Sequence, residues 1–345
     1  MMTNLTATAQ SIKKIAPFLI VGLIIAILVV AIIYRFTRKP EVPSQPISQP
    51  SISQAPSQKQ PQSFDFSRIE KANTPEKLPS FQAYEYNIND ATAAGIASVF
   101  GFEAGPSSIN EEGFGGKLYS FTSQESSMTI SQYRLLYNRT PAETSDNLPL
   151  PELEEISRKF IESIPLVEKD LTLDEQKIKF LAKATTGKLV SASSFEGAYV
   201  VELSFDKNLS SLPIFTNSPD TTYTTVRVTK SGEIIYFSSR FFEKFTEIGL
   251  YKIKSQQEAV EEIKAGQGKV VQTQILDENS QALELFRNQP ENIQLATITK
   301  LDLAYFLPDD FAEPIQPIFV FEGSFQSADG KGRVVIYLPA IKQTK

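Results

Sequence analysis

The stretch TYTTVRVTKSGEIIYFSSRFF, residues 222–242, decides how the chain folds. Thr222 to Thr229 is rich in β-branched and aromatic residues, Lys230-Ser231-Gly232 is a turn, and Glu233 to Phe242 returns as a second run of the same kind. Two such runs joined by a short glycine-bearing turn predict an antiparallel hairpin, and it is the clearest one in the chain.

Working outward, Tyr199 to Phe205 (YVVELSF) predicts a strand before the hairpin, in a second half that begins near Leu166. After the hairpin, Ser255 starts a helix, SQQEAVEEIKAG: Glu258 completes a capping box, Ala259 and Ile263 share a face, and Gly266 stops it. Strands are predicted at Gln294 to Phe306, Ile315 to Phe321 and Arg333 to Leu338, the last two joined across ADGKG. In the first half, strands are expected at Phe81 to Ile88, Lys117 to Thr122 and Met128 to Tyr137. Helices are expected after the N-cap Asn89/Asp90 and from Glu152 to Ile164, the latter framed by Pro151 and Pro165. A short alanine-bearing helix followed by strands occurs after Asp90 and again after Ser255. The predicted fold class is therefore α+β, with mostly antiparallel sheets, short packed helices and two related αβ units at 64–165 and 166–345.

Ahead of this lies a different kind of sequence. Ile15 to Tyr34 (IAPFLIVGLIIAILVVAIIY) is twenty residues without a charge. As a helix it reaches roughly 30 Å, the thickness of a bilayer's hydrocarbon core. It predicts a single transmembrane helix, an uncleaved signal anchor, because no small-x-small pattern follows it. Residues 1–14 form a short tail; Lys13 and Lys14 nearly balance Arg35, Arg38 and Lys39 across the span, so charge alone does not orient it. The stalk and the β-rich domain favour an N-terminus inside and the domain outside, at the plasma membrane. Residues 35–63 are Pro/Ser/Gln-rich, with six prolines between Pro40 and Pro61, and predict an extended stalk. A rival reading, a proline-rich ligand at Pro43–Pro46, lacks a basic neighbour.

Charge and composition exclude several functions. Residues 1–63 carry six bases against one acid, so the rest of the chain carries 28 against 39. An acidic domain argues against nucleic acid and against flat docking on anionic lipid. The chain has no Cys, His or Trp, which removes disulfides, thiolate nucleophiles, the commonest general base and the commonest transition-metal ligand. No cofactor is implied.

The remaining candidate sites are weak. GQGK at Gly266–Lys269 lacks the spacing of a phosphate loop and is explained by a helix stop. Asp206, Asn208 and Ser210 alternate like calcium ligands, but Ser211 replaces the glycine and Asn217 the bidentate glutamate. SIKK at Ser11 has no partner motifs. Asp309, Asp310 and Glu313, and Glu258, Glu261 and Glu262, could act as acid–base groups, though solvated loop and helix-face charge is the usual explanation for such groups. The aromatic cluster Tyr236, Phe237, Phe241, Phe242, Phe245 and Tyr251 reads as core packing or as a partner-binding patch.

TVRVTKSGEIIYFSSRFF, followed about a dozen residues later by SQQEAVEEIKAGQG, resembles the PepSY-type arrangement of a strand hairpin leading to an alanine-bearing helix. The closing LDLAYFLPDDFAEPIQPIFVFEG resembles the ending of the extracytoplasmic YycH/YycI regulators, with Phe319 where those proteins often have Trp. The resemblance covers roughly residues 195–340, with an echo at 81–137. It implies a non-enzymatic regulator: a cytoplasmic tail, one span, then an external domain contacting a protein or another envelope component. The interaction surface is then expected at Phe241, Phe242, Phe245 and the loop carrying Asp309, Asp310 and Glu313. The alternatives are a tethered hydrolase using that loop's carboxylates on envelope polymer, and a structural subunit of an envelope assembly.

Overall fold

The computed structural model describes residues 46–53, 60–70, 74–111, 116–142, 147–275, 292–328 and 330–343. All of them belong to one compact unit, Gln45–Lys345. The membrane helix expected at residues 15–34 lies outside the described residues, among which no helix is long and apolar enough to cross a membrane.

In chain order the elements are β1 (Ser63–Asp65), β2 (Lys77–Tyr84), α1 (Asp90–Val99), β3 (Ser108–Glu111), β4 (Lys117–Thr122), β5 (Ser126–Ile130), β6 (Arg134–Arg139) and α2 (Leu150–Ser163). There follow β7 (Thr172–Leu173), β8 (Lys179–Lys183), β9 (Leu189–Ser191), β10 (Val200–Asp206), β11 (Asn208–Leu209), β12 (Leu212–Phe215), β13 (Thr224–Thr229), β14 (Ile234–Arg240) and β15 (Lys244–Lys252). The chain ends through α3 (Gln256–Lys264), β16 (Lys269–Ile275), β17 (Leu295–Phe306), β18 (Gln316–Ser327) and β19 (Gly330–Pro339).

The α+β expectation is corrected to a mostly β fold: strands take 46% of the described residues and helices 14%. Strand alternation was interrupted where the ladder bulges. The β2–β15 pairing shifts register between Glu247 and Gly249, and β16–β19 shifts between Val270 and Gln272. A bulge inserts one residue and breaks the period-two pattern that marks a strand. The two related αβ units are corrected as well. A ten-stranded sheet runs β3-β4-β5-β6-β14-β13-β10-β8-β9, with β7 also paired to β10, so strands from both sides of residue 165 share one ladder. The joint is β6–β14, where Leu135 pairs with Ser239 and Tyr137 with Phe237.

The expected hairpin is present as β13–β14. Gly232 takes φ +89° and donates its N–H to Thr229 O at 2.9 Å, a conformation that costs glycine nothing. One face of this sheet carries Val201, Leu203, Phe205, Val226, Val228 and Phe237, buried against α1 and α2. Asn89 caps α1 by accepting from Thr92 N at 2.9 Å, and Leu153 and Ile161 are the buried stripe of α2.

A seven-stranded sheet runs β11-β12-β17-β18-β19-β16, with β1 added in parallel to β17. Ala259 and Ile263 of α3 pack on one face among Ile298, Phe321 and Ile336. The expected capping box is formed: Glu258 N donates to Ser255 Oγ at 3.2 Å, and Ser255 N to Glu258 Oε2 at 2.8 Å. Gly266, at φ +76°, ends the helix in GQGK.

Within the proline-rich segment, residues 46–53 form a strap on this domain. Gln316 Nε2 donates to Ser48 O at 2.8 Å, Ser51 N to Glu313 Oε2 at 3.1 Å, and Ser53 N to Asn217 Oδ1 at 2.9 Å. Ile52 is buried with Ala304, Phe306, Val320, Val335 and Tyr337 on the second face of the seven-stranded sheet. Burying such a side chain stabilises by about 1.5–3 kcal/mol, comparable with the backbone entropy of ordering one or two residues, and the three hydrogen bonds add to it.

Candidate functional site

The face of the ten-stranded sheet turned away from α1 and α2 is polar beyond a small apolar cluster of Leu181, Val200 and Ile235, and the reason is legible in β10. In VVELSFD, Val201, Leu203 and Phe205 enter the core, so Glu202, Ser204 and Asp206 must project from the opposite face. Strand register then lines up a cross-strand row: Lys179, Glu202, Arg227, Tyr236 and Asn138 stand opposite one another on β8, β10, β13, β14 and β6. The next row contains Ser204, Thr225, Ser238 and Leu136.

Charges in the first row are paired in sequence. Lys179 Nζ donates to Glu202 Oε1 at 3.0 Å and Arg227 Nε to Glu202 Oε2 at 2.7 Å. The Arg227 guanidinium also lies 4.6 Å from the Tyr236 ring centroid. Burial pushes the Glu202 carboxyl up, but the Lys179 and Arg227 charges outweigh it and hold the group below its ordinary value. Glu202 is therefore an anion and no general acid at neutral pH. Lys177 bridges Asp174 at 3.1 Å and Asp206 at 2.9 Å. Burial opposes its protonation, yet the two carboxylates raise its pKa.

These rows form one side of a groove of about 1540 Å³, completed by residues of the seven-stranded sheet. There Lys300 pairs with Asp302 at 2.6 Å, and Arg333 holds Glu322 at 2.8 Å and Asp220 at 3.5 Å. Six bases and six acids line the groove, so its charge alternates along the surface and sums to zero. Hydroxyls of Ser204, Ser210, Thr222, Thr225 and Ser238 lie among them. Such a lining fits an extended polar ligand, because its exposed charged side chains, such as Lys179 and Lys300, can exchange an internal partner for an external one at modest cost.

The residues expected from the sequence to form a partner surface lie elsewhere. Phe241 and Phe242 are buried at the end of β14, and Phe242 packs against Phe311 and the half-buried Phe245 with centroid separations of 5.1 and 5.3 Å. Asp309 and Asp310 are exposed and Glu313 is half-buried. Asp309 accepts from Asn217 Nδ2 at 2.8 Å, Asp310 from Ala312 N at 2.9 Å, and Glu313 from the strap. None of the three lines the groove. Glu258, Glu261 and Glu262 are used by α3: Glu258 closes the cap, and Lys264 and Lys254 pair with Glu261 and Glu262 at 2.9 and 2.7 Å.

The calcium-like run has a different role. Asp206 pairs with Lys177, while Ser210 and Ser211, at φ +46° and +69°, make the tight turn between β11 and β12. No group of three or more acids suited to a metal occurs among the described residues.

The groove residues escaped sequence reading although a signal was present. Polar residues at every second place in VVELSFD and TTVRVT mark a polar sheet face, but only register shows that Glu202 meets Lys179 and Arg227.

No family model matches the chain, and no curated protein matches it. A solved structure, that of an uncharacterized protein from Eubacterium rectale ATCC 33656, aligns with 82% of this chain and 91% of its own at 12% identity and a TM-score of 0.45.

Proposed function

We propose that this protein is a binding or regulatory component of the cell envelope, anchored in the plasma membrane through residues 15–34 with its β-rich domain outside, and that its partner lies in the groove between the two sheets. The observation that carries this reading is the groove's charge: twelve ionic side chains line it, and Glu202 is fixed as an anion between Lys179 and Arg227. Proton transfer needs a group poised near neutrality, and a carboxylate held down by two cations suits recognition instead. An uncharged twenty-residue segment ahead of the domain supports the anchor. The similarity of residues 195–340 to PepSY-type and YycH/YycI regulators favours a protein partner over polymer hydrolysis. The carboxylates on which the hydrolase reading depends, Asp309, Asp310 and Glu313, are engaged by Asn217, Ala312 and Ser51.

Two measurements on intact cells test the proposal. Membrane fractionation with protease added from outside is expected to recover the protein in the membrane fraction and to remove the domain while sparing the tail. Crosslinking followed by mass spectrometry is expected to yield one reproducible envelope protein. Recovery in the soluble fraction overturns the anchor; a domain protected in cells with a permeable outer barrier overturns the topology; the absence of any reproducible adduct overturns the binding role.

A further inference from the structure

Arg134 on β6 and Arg240 on β14 stand directly opposite each other in the ladder. Like charges in that position repel, and sheet pairs of this kind are destabilising on their own. Elsewhere along the groove the bases Lys177, Lys179, Arg227, Lys300 and Arg333 each have a carboxylate within ion-pair distance. Among the described residues neither Arg134 nor Arg240 has one. Arg134 is exposed at the groove's lining, while Arg240 is half-buried beside it, behind the lining residues. Burial, and then the neighbouring Arg134 charge, pull the Arg240 guanidinium below its usual pKa, so the fold carries the cost of holding this charge. The acid whose charge acts on Arg240 is Asp309, and its carboxylate already accepts from Asn217.

Opposite places in the register put both arginines on one sheet face, so two guanidinium forks are available to one anion there. Ser238, two residues before Arg240 on the same strand, adds a hydroxyl at the groove's lining. We propose that Arg134 and Arg240 form an oxyanion site at the β6–β14 corner of the groove, which takes a phosphate-type group. A carboxylate has two oxygens and satisfies one guanidinium fork; a tetrahedral phosphate has enough oxygens and charge for two. The inference rests on the groove reading in that it names an anionic group on the groove's ligand.

The test is calorimetric titration of the full chain, held in a non-ionic detergent, with inorganic phosphate and in parallel with acetate. Wild-type protein is expected to bind one phosphate per chain with a dissociation constant of about 1 mM or below, and acetate far more weakly. R134Q, at an exposed position that leaves the fold intact, is expected to weaken phosphate binding about tenfold or more, as loss of a charge-assisted hydrogen bond requires. R240Q is expected to abolish binding while raising the thermal midpoint in phosphate-free buffer, because it removes an unpaired covered charge. No saturable heat, equal binding by wild type and R134Q, or acetate binding as tight as phosphate would overturn the site. Lost phosphate binding with partner capture at the groove intact sinks this inference alone; lost capture with phosphate binding intact sinks the groove reading alone.

Discussion

Glu202 Oε2 accepts a hydrogen bond from Arg227 Nε at 2.7 Å across the β10–β13 ladder, while Lys179 holds the other oxygen from β8. Three adjacent strands of the large sheet are thus joined by one buried carboxylate. Glu202→Gln keeps the shape and removes the charge, leaving two cations without their counter-ion. A loss of about 1–3 kcal/mol in unfolding free energy is expected from urea titration. Lys179→Met is expected to cost only about 0–1 kcal/mol, because the Lys179 side chain is half exposed.

The same carboxylate makes stability depend on acid. Its folded pKa lies below its unfolded one because Lys179 and Arg227 outweigh burial, and Asp174 is lowered likewise, with burial opposed by Lys177. A depressed carboxyl stabilises fully above the unfolded value, and that contribution is lost as pH falls through the folded value. The thermal midpoint is therefore expected to be flat from neutrality down to about pH 5 and to fall below about pH 4. In Glu202→Gln the fall should be shallower; an unchanged slope would show that Glu202 is not ionised in this way.

The strap gives a local rather than a global prediction. Ile52 is buried on the seven-stranded sheet, and Ser53 N bonds to Asn217. Ile52→Ser removes the apolar anchor, so hydrogen exchange at Ser51 and Ser53 should accelerate toward unprotected rates. Exchange in β17 and β18 should change little, since their ladder does not pass through the strap.

Gly232 closes the hairpin that specifies the large sheet. Its φ is +89°, and a Cβ there would meet Ile156 Cδ1 at 3.0 Å and Leu148 Cδ1 at 3.1 Å. Gly232→Ala is expected to lose about 1–3 kcal/mol by urea unfolding, from the left-handed backbone and from crowding against α2.

Much of this architecture could be read from residues alone. The hairpin at 224–240, the capped helix after Ser255 and the long C-terminal strands all have strong local signals: turn glycine, capping box and β-branched runs. Strand β15 was hidden because KFTEIGLYK is interrupted by a bulge, and the helices weighed heavily because the side-chain caps at Asn89 and Ser255 are strong local signals. Phe241 and Phe242 looked like a sticky patch because a strand can bury only every second residue. The chain leaves the ladder there, and both rings turn into the core. The groove was least legible, since its ion pairs join residues such as Lys179 and Glu202 through register rather than through sequence spacing.

Site-resolved photocrosslinking in living cells tests the central claim most directly. A photoreactive residue replaces Thr225 or Ser238, both half-buried in the groove lining, and in a control replaces Lys264, exposed on α3 outside the groove lining. If the groove holds the partner, both groove positions will capture the same envelope protein, the control will not, and Glu202→Gln will reduce the yield. Capture from Lys264 equal to that from the groove, or no capture from Thr225 and Ser238, would contradict the account.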